Sequence, residues 1–185
     1  MQTTAVVIKQ PQQLELVRLD LPAPAADDVV VDPGARCYGA ISGLFGGAAS
    51  RVVVPAARVL PVDESLDEQG VLLALAATAY HVTRGDPQAQ PALIVGHGVL
   101  GRLLARIALA LGAAPPTVWE IADGRRAGAH GYRVCAPDED PRRDYARICD
   151  ASGDADVLDR LMPRLGRGGE IALAGFYSRP LNFTF

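Results

Sequence analysis

The chain has 185 residues, is 49% hydrophobic and carries a formal net charge of −3. That apolar content supports a packed core rather than a disordered chain, and the acidic balance excludes the strongly basic footprint of a nucleic-acid-binding protein. Cys37, Cys135 and Cys149 lie far apart and form no CxxC pair or Cys/His cluster, which excludes a disulfide framework and a structural zinc site. They read as buried, inert thiols of a reducing compartment.

The N-terminal "MQTTAVVIKQPQQLEL" alternates and then breaks at Pro11, unlike a signal peptide. The longest apolar stretch, "VLLALAATAY", is too short to cross a bilayer, so the expectation is a cytoplasmic protein without a transmembrane segment. From Met1 to about Asp67 the pattern is β-like. Runs "TTAVVIK", "LELVRLD", "DVVVD" and "SRVVVPAARVLPV" are short and β-branched, punctuated by "LPAPAADD" and "PGARCYGAISGLFGG". Gly39 to Gly47 reads as a loop. A helix is expected from near Ser65, with Ser65 and Glu68 forming a capping box. "DEQGVLLALAATAYHV" continues it as a mostly apolar helix, buried on several sides, until Gly85, Asp86 and Pro87 end it.

From Pro91 onward strands and helices alternate. Strand "ALIV" leads to helix "VLGRLLARIALALG", strand "TVWE", the segment "RRAGAHG" and strand "YRVC"; strand "RICDA", helix "DADVLDRLMPRL", turn "GRGG" and strand "EIALAGF" follow. Such alternation predicts a parallel sheet covered by helices. The intervening "PDEDPRRDYAR" reads as a solvated, charge-paired surface.

The spacing Gly96-His97-Gly98-Val99-Leu100-Gly101 is GxGxxG, placed directly after a buried-type strand and opening a helix. That is the setting of a dinucleotide-binding turn. Gly96 makes the tight turn, Gly98 leaves the backbone open to a pyrophosphate, and Gly101 lets the helix pack on its strand. Amides at the helix start, with the positive end of its dipole, hold phosphate charge. The next strand ends at Glu120, 19 residues after Gly101. An acid there accepts both ribose hydroxyls and repels a 2′-phosphate, favouring NAD over NADP, although Arg125 and Arg126 nearby are able to accommodate that phosphate.

His97 reads as a partly exposed loop residue supplying its backbone amide rather than as a catalytic group. His81 reads as a hydrogen-bonded core histidine, and His130 as solvent-facing. No catalytic triad, GxSxG elbow, HExxH or P-loop lysine is present.

A β-rich N-terminal part, an apolar "TAYH" helix and a Rossmann-type domain together resemble the medium-chain dehydrogenase/reductases. The segments "GLFGGAASRVVVPAARVLPVD", "GVLLALAATAYH", "LIVGHGVLGRLLAR", "PPTVWE", "DPRRDYARICDASGD" and "GGEIALAGFY" are similar to the dehydrogenases of bacteriochlorophyll a biosynthesis. The resemblance implies an α/β fold with a Rossmann-type parallel sheet preceded by a partial β-rich, GroES-like catalytic domain. It implies a partial catalytic domain over 1–67, a connecting helix and linker over 68–90, and a C-terminally incomplete dinucleotide-binding domain over 91–185.

It further implies NAD-dependent oxidation of the 3-(1-hydroxyethyl) group of a bacteriochlorophyllide-type tetrapyrrole to a 3-acetyl group. Cofactor-binding positions carried over are Gly96, His97, Gly98, Val99, Leu100, Gly101 and Glu120, together with Thr78 near the nicotinamide and Ser152 and Gly175 at later strand ends. No catalytic acid/base and no metal ligand are assigned. Relatives of this architecture commonly dimerise through the sheet edge, so a homodimer is among the expected partners.

The chain departs from the family pattern in two places. "DVVVD" runs straight into "PGARCYG" at 32/33, where the family carries a long block, and the family continues well beyond "LNFTF". Three other readings stay open. The chain fits another medium-chain alcohol dehydrogenase or a quinone or ketone reductase. It also fits a non-catalytic NAD-binding fragment. A class I methyltransferase likewise has a glycine loop after its first strand and an acid ending its second.

Overall fold

The structure, a computed structural model, describes residues 1–10, 12–31, 49–83 and 90–184. The expected loop Gly39 to Gly47, Cys37, the junction at 32/33 and the helix stop at Gly85, Asp86 and Pro87 lie outside the described residues. The chain divides into two compact units, Met1–Leu73 and Ala74–Phe185.

The first unit is built from two antiparallel pairs. Strand β1 (Gln2–Gln10) pairs with β2 (Gln13–Asp20), and β3 (Asp28–Val31) pairs with β4 (Val52–Pro55). The β-branched runs thus form the expected strands, with Ala5, Leu21, Val52 and Val53 buried. A bridge between Ala5 and Ala49 joins β1 to the segment leading into β4. The Thr3 hydroxyl strengthens that join by donating to the Arg51 carbonyl at 2.8 Å.

The expected helix start at Ser65 is corrected. Asp63 caps instead, its carboxylate accepting the Ser65 N–H at 2.8 Å, so no Ser65–Glu68 capping box forms. A tighter 310 run, Glu64–Leu72, follows and is broken at Asp67, whose φ of 38° no helix contains. The regular helix α1 begins only at Leu73 and runs to Thr83.

Burial of α1 is also narrower than its composition suggests, because only Ala79 and Thr83 are buried. It meets its neighbours through small side chains, leaving Leu73 and Tyr80 exposed. His81 is exposed as well, and so is not a core histidine.

The second unit carries five parallel strands in the order β7-β6-β5-β8-β9. They are β5 (Leu93–Val95), β6 (Thr117–Trp119), β7 (Arg133–Cys135), β8 (Tyr145–Asp150) and β9 (Leu165–Leu173). The first strand lies at the centre and the chain winds outward to both sides, which places the crevice between β5 and β8 at their carboxyl ends. Period-two alternation sends Leu93 and Val95 into one core, with Trp119, Tyr145, Ile148, Val157 and Leu161. Ile94 enters the opposite core, with Ala79, Leu104, Ala105, Val118 and Cys149.

Helix α2 (Val99–Ala110) supplies Leu104 and Ala105 to that second core and buries Ala108 as well. Two further helices are single turns, α3 (Asp123–Arg126) and α4 (Leu158–Leu161), and Pro163 helps confine the continuation of α4 to a 310 turn. The expected "GRGG" turn is absorbed into β9 as an irregularity. Pairing moves from Tyr145 opposite Leu165 to Arg147 opposite Glu170, with Gly168 at φ 73°.

"PDEDPRRDYAR" is not simply solvated. Asp140 and Tyr145 are buried, and the Asp140 carboxylate accepts from Trp119 Nε1 at 2.7 Å and from the Tyr145 hydroxyl at 2.6 Å. The rest of the segment matches the surface reading: residues 141–144 are exposed, and Arg142 pairs with Asp144 and Glu139 with Arg126.

Candidate functional site: a glycine turn at the carboxyl edge of the sheet

Leaving β5, the chain turns at Gly96, whose φ is 97° and whose N–H donates to the Trp119 carbonyl at 2.8 Å. A side chain there would meet the Ser152 Cα at 3.1 Å, so the turn is backed by the segment that follows β8. Gly101 is tighter still. A Cβ on it would stand 1.9 Å from the Gly96 carbonyl oxygen, so α2 sits directly on the turn. Gly98 is the opposite case: it caps α2 with an extended backbone (φ −72°) and a Cβ on it would enter open space.

One glycine is therefore needed for the turn's handedness, one for packing, and one faces a cradle that a side chain would fill. Among the described residues no side chain caps α2, leaving its first-turn amides toward that open side. Val99, beside it, is half exposed. This arrangement fits a dinucleotide pyrophosphate.

Glu120, directly after β6, is 5% exposed. Its Oε2 accepts the His97 N–H at 3.0 Å and its Oε1 accepts the Ala122 N–H at 2.9 Å. The Arg125 guanidinium lies 3.6 Å from Oε1. Burial alone would raise this carboxyl; the amides of Ala122, His97 and Ile121 and the Arg125 charge outweigh it and hold the group below its ordinary range. Both oxygens accept an amide, and a carboxylate in this state still has acceptor capacity for ribose hydroxyls. Arg126 is committed elsewhere, to Asp123 and to the Glu120 carbonyl.

His97 is only 1% exposed, which corrects the expectation of a partly exposed loop residue. Its N–H is already given to Glu120, so it is not among the amides turned toward a phosphate. Its Nδ1 lies 2.6 Å from the Arg125 carbonyl and its Nε2 2.8 Å from the Tyr132 hydroxyl. A carbonyl only accepts, so Nδ1 carries the proton and Nε2 accepts from Tyr132. Burial keeps the ring's pKa below its ordinary value, against the contrary pull of the Arg125 carbonyl. Arg102, on α2, reinforces the join by donating to the carbonyls of His97, Arg125 and Ala127.

On the other side of the crevice, Asp150 ends β8 and is fully buried. Its Oδ1 accepts the Ser152 amide and hydroxyl at 2.9 and 2.7 Å, and its Oδ2 accepts the Tyr177 hydroxyl at 2.5 Å. Gly175 would, with a Cβ, stand 2.7 Å from the Gly153 nitrogen, so the loops after β8 and β9 interlock. Ser152 is thereby brought beside Gly96, and Gly175 beside Gly153.

Thr78 is exposed on α1, its hydroxyl donating back to the Ala74 carbonyl at 3.1 Å. The end of α1 is tied to β8 where Arg147 donates to the Val82 carbonyl. Among the described residues, no hydrogen bond joins Thr78 to the glycine turn.

Arg102, Tyr132, Asp150 and Tyr177 escaped the motif reading. Only Asp150 left a signal, as an acid closing a strand adjacent to the motif's own. Among the described residues, no three His, Cys, Asp or Glu side chains are grouped to hold a metal ion.

No protein-family model matches the chain. It is 55% identical over 159 residues to a 2-desacetyl-2-hydroxyethyl bacteriochlorophyllide A dehydrogenase of Rhodobacter capsulatus, an alignment covering 85% of this chain and 51% of that protein. A dehydrogenase of the same name from Cereibacter sphaeroides is 53% identical over 163 residues, with the same coverage. The chain thus spans about half the length of the curated relatives it matches.

Among solved structures, an alcohol dehydrogenase of Escherichia coli complexed with NADH superposes with a TM-score of 0.75. It is 17% identical, and 99% of this chain covers 79% of it. The chain shares the fold of that dehydrogenase. A zinc-binding dehydrogenase of the same fold from Sinorhizobium meliloti, solved with NADP, gives a TM-score of 0.73 at 14% identity, covering 100% of this chain and 80% of that one. Among the described residues no helix is long and apolar enough to cross a membrane.

Proposed function

We propose that the chain takes part in an NAD-dependent oxidation of the 3-(1-hydroxyethyl) group of a bacteriochlorophyllide to a 3-acetyl group, in the cytoplasm. The observation that carries this reading is the 53–55% identity to dehydrogenases named for that substrate. The glycine turn supports the cofactor half of it. Nicotinamide, when bound, accepts the hydride of the secondary carbinol; the hydroxyl proton leaves to a base.

In this reading Gly98 admits the pyrophosphate, and the amides at Val99, Leu100 and Gly101 with the α2 dipole hold its charge. Glu120 accepts from the adenosine ribose diol and disfavours a 2′-phosphate. That supports NAD over NADP. In this reading Ser152 and Gly175, in the segments after β8 and β9, and Thr78 on α1 contact the nicotinamide.

The test is turnover: the chain incubated with hydroxyethyl bacteriochlorophyllide and NAD should yield NADH fluorescence and the altered pigment absorption of a conjugated ketone. NADH binding without turnover favours the second reading, a nucleotide-binding portion, which the half-length coverage of the relatives also favours. Calorimetric binding of S-adenosylmethionine but not NADH refutes both. A homodimer in sedimentation would fit the architecture.

A further inference from the structure

His97 occupies a variable position of the glycine motif, yet it is the best-connected residue of the turn. Its backbone N–H holds Glu120 Oε2, and its Nδ1 holds the carbonyl of Arg125, the residue whose guanidinium faces Oε1 of the same carboxylate. Its Nε2 receives the Tyr132 hydroxyl, and the two rings meet edge to face at 5.6 Å. One buried imidazole therefore fixes both the amide on one carboxylate oxygen and the backbone that aims a cation at the other.

We propose that His97, seated by Tyr132, is a positioning residue for ribose discrimination: it aligns the Glu120 carboxylate toward a 2′,3′-diol. The proposal rests on the dinucleotide reading of the turn. With the imidazole gone, the hydrogen bonds that tie segment 125–128 to the turn among the described residues are those of Arg102. The two backbone amides on Glu120 remain, but the His97 amide is no longer held in place by its ring, and Arg125 is freer to meet a 2′-phosphate. The signature is a change in the ratio of NADH to NADPH affinity, beyond any common loss.

The experiment is calorimetric titration of the chain with NADH and NADPH for the wild type, His97→Ala, His97→Asn and Tyr132→Phe, with thermal unfolding alongside. Losing a buried hydrogen bond and its alignment should narrow the NADH/NADPH ratio on the order of tenfold in His97→Ala. His97→Asn keeps a donor near Nδ1 and should restore most of the preference. Tyr132→Phe deletes one oxygen, preserves the fold and should narrow the ratio less, so the argument survives even if His97→Ala fails to fold.

An unchanged ratio in Tyr132→Phe and in the folded His97 variants overturns the proposal, as does an equal loss for both cofactors. A wild type that binds neither cofactor overturns the dinucleotide reading itself. Those outcomes are distinguishable.

Discussion

Gly98 and Gly101 are three residues apart in one helical turn, and the structure assigns them opposite roles. A methyl group at Gly101 would stand 1.9 Å from the Gly96 carbonyl oxygen, so helix and turn must part by more than about 1 Å to reach van der Waals contact. The turn has little room to yield, since Gly96 is hydrogen-bonded to Trp119 and backed by Ala151 and Ser152. The displacement falls on α2, whose Leu104, Ala105 and Ala108 are fully buried. Overpacking of this kind costs about 1–3 kcal/mol or more, and the gain in helix propensity returns about 1.

Gly101→Ala should therefore lose about 2 kcal/mol, lowering Tm by roughly 8 °C in a unit of this size. Gly98→Val meets no neighbour and keeps an allowed extended backbone, so it should lose only the helix-cap advantage, about 1 kcal/mol or less. Its NADH affinity should nevertheless fall by at least about tenfold, a loss of 1.4 kcal/mol or more. Circular dichroism melting and calorimetry with NADH separate the two effects. Undiminished NADH affinity in folded Gly98→Val, or wild-type stability in Gly101→Ala, refutes the assignment.

Glu120→Ala should narrow the preference for NADH over NADPH, read from paired titrations; an unchanged preference means the carboxylate is not presented to the ribose. Arg102→Ala removes donors from the carbonyls of His97, Arg125 and Ala127 and should cost about 1–2 kcal/mol, with faster amide exchange confined to 125–128. Cys149, buried and with its thiol pushed up to about 12 chiefly by burial, should resist alkylation at pH 8 until the sheet unfolds, as peptide mass spectrometry will show. Burial would raise the Asp140 carboxyl, but donors from Tyr145, Arg142 and Trp119 outweigh it and lower it below 3.8. Its stabilisation is complete above the unfolded value and disappears as pH falls through the folded one, so Asp140→Asn should flatten the acid limb of a stability–pH curve.

The sheet was legible because β5, β6 and β8 are apolar runs bounded by turn residues, and because GxGxxG ties the first of them to a helix. Fully buried strands and a closely packed helix leave that signature wherever they occur. The start of α1 was not legible. Ser65 and Glu68 satisfy the spacing of a capping box, but Asp63 reaches the same amide first and Asp67 breaks the run. His97 was misread for a related reason. Spacing records which motif positions must be glycine and says nothing of what the variable ones touch, and the partners of this imidazole lie 28 and 35 residues away. Asp140 likewise gained its buried role from Trp119 and Tyr145, which only the folded sheet brings to it.

The two acids bordering the central strand show how the crevice is held before any ligand arrives. Glu120 closes β6 and Asp150 closes β8, and each accepts the amide two residues further on, so each folds its own turn. Each then spends its second oxygen across the crevice edge, Glu120 on the His97 amide and Asp150 on the Tyr177 hydroxyl. Burial and the bond to Asp150 both raise the Tyr177 phenol, which keeps it a proton donor at any physiological pH. The glycine turn is thus braced from both sides while Gly98 stays open between them. The entropy of ordering these loops is spent in folding rather than on binding, and a ligand meeting this edge loses less of its affinity to ordering the loops.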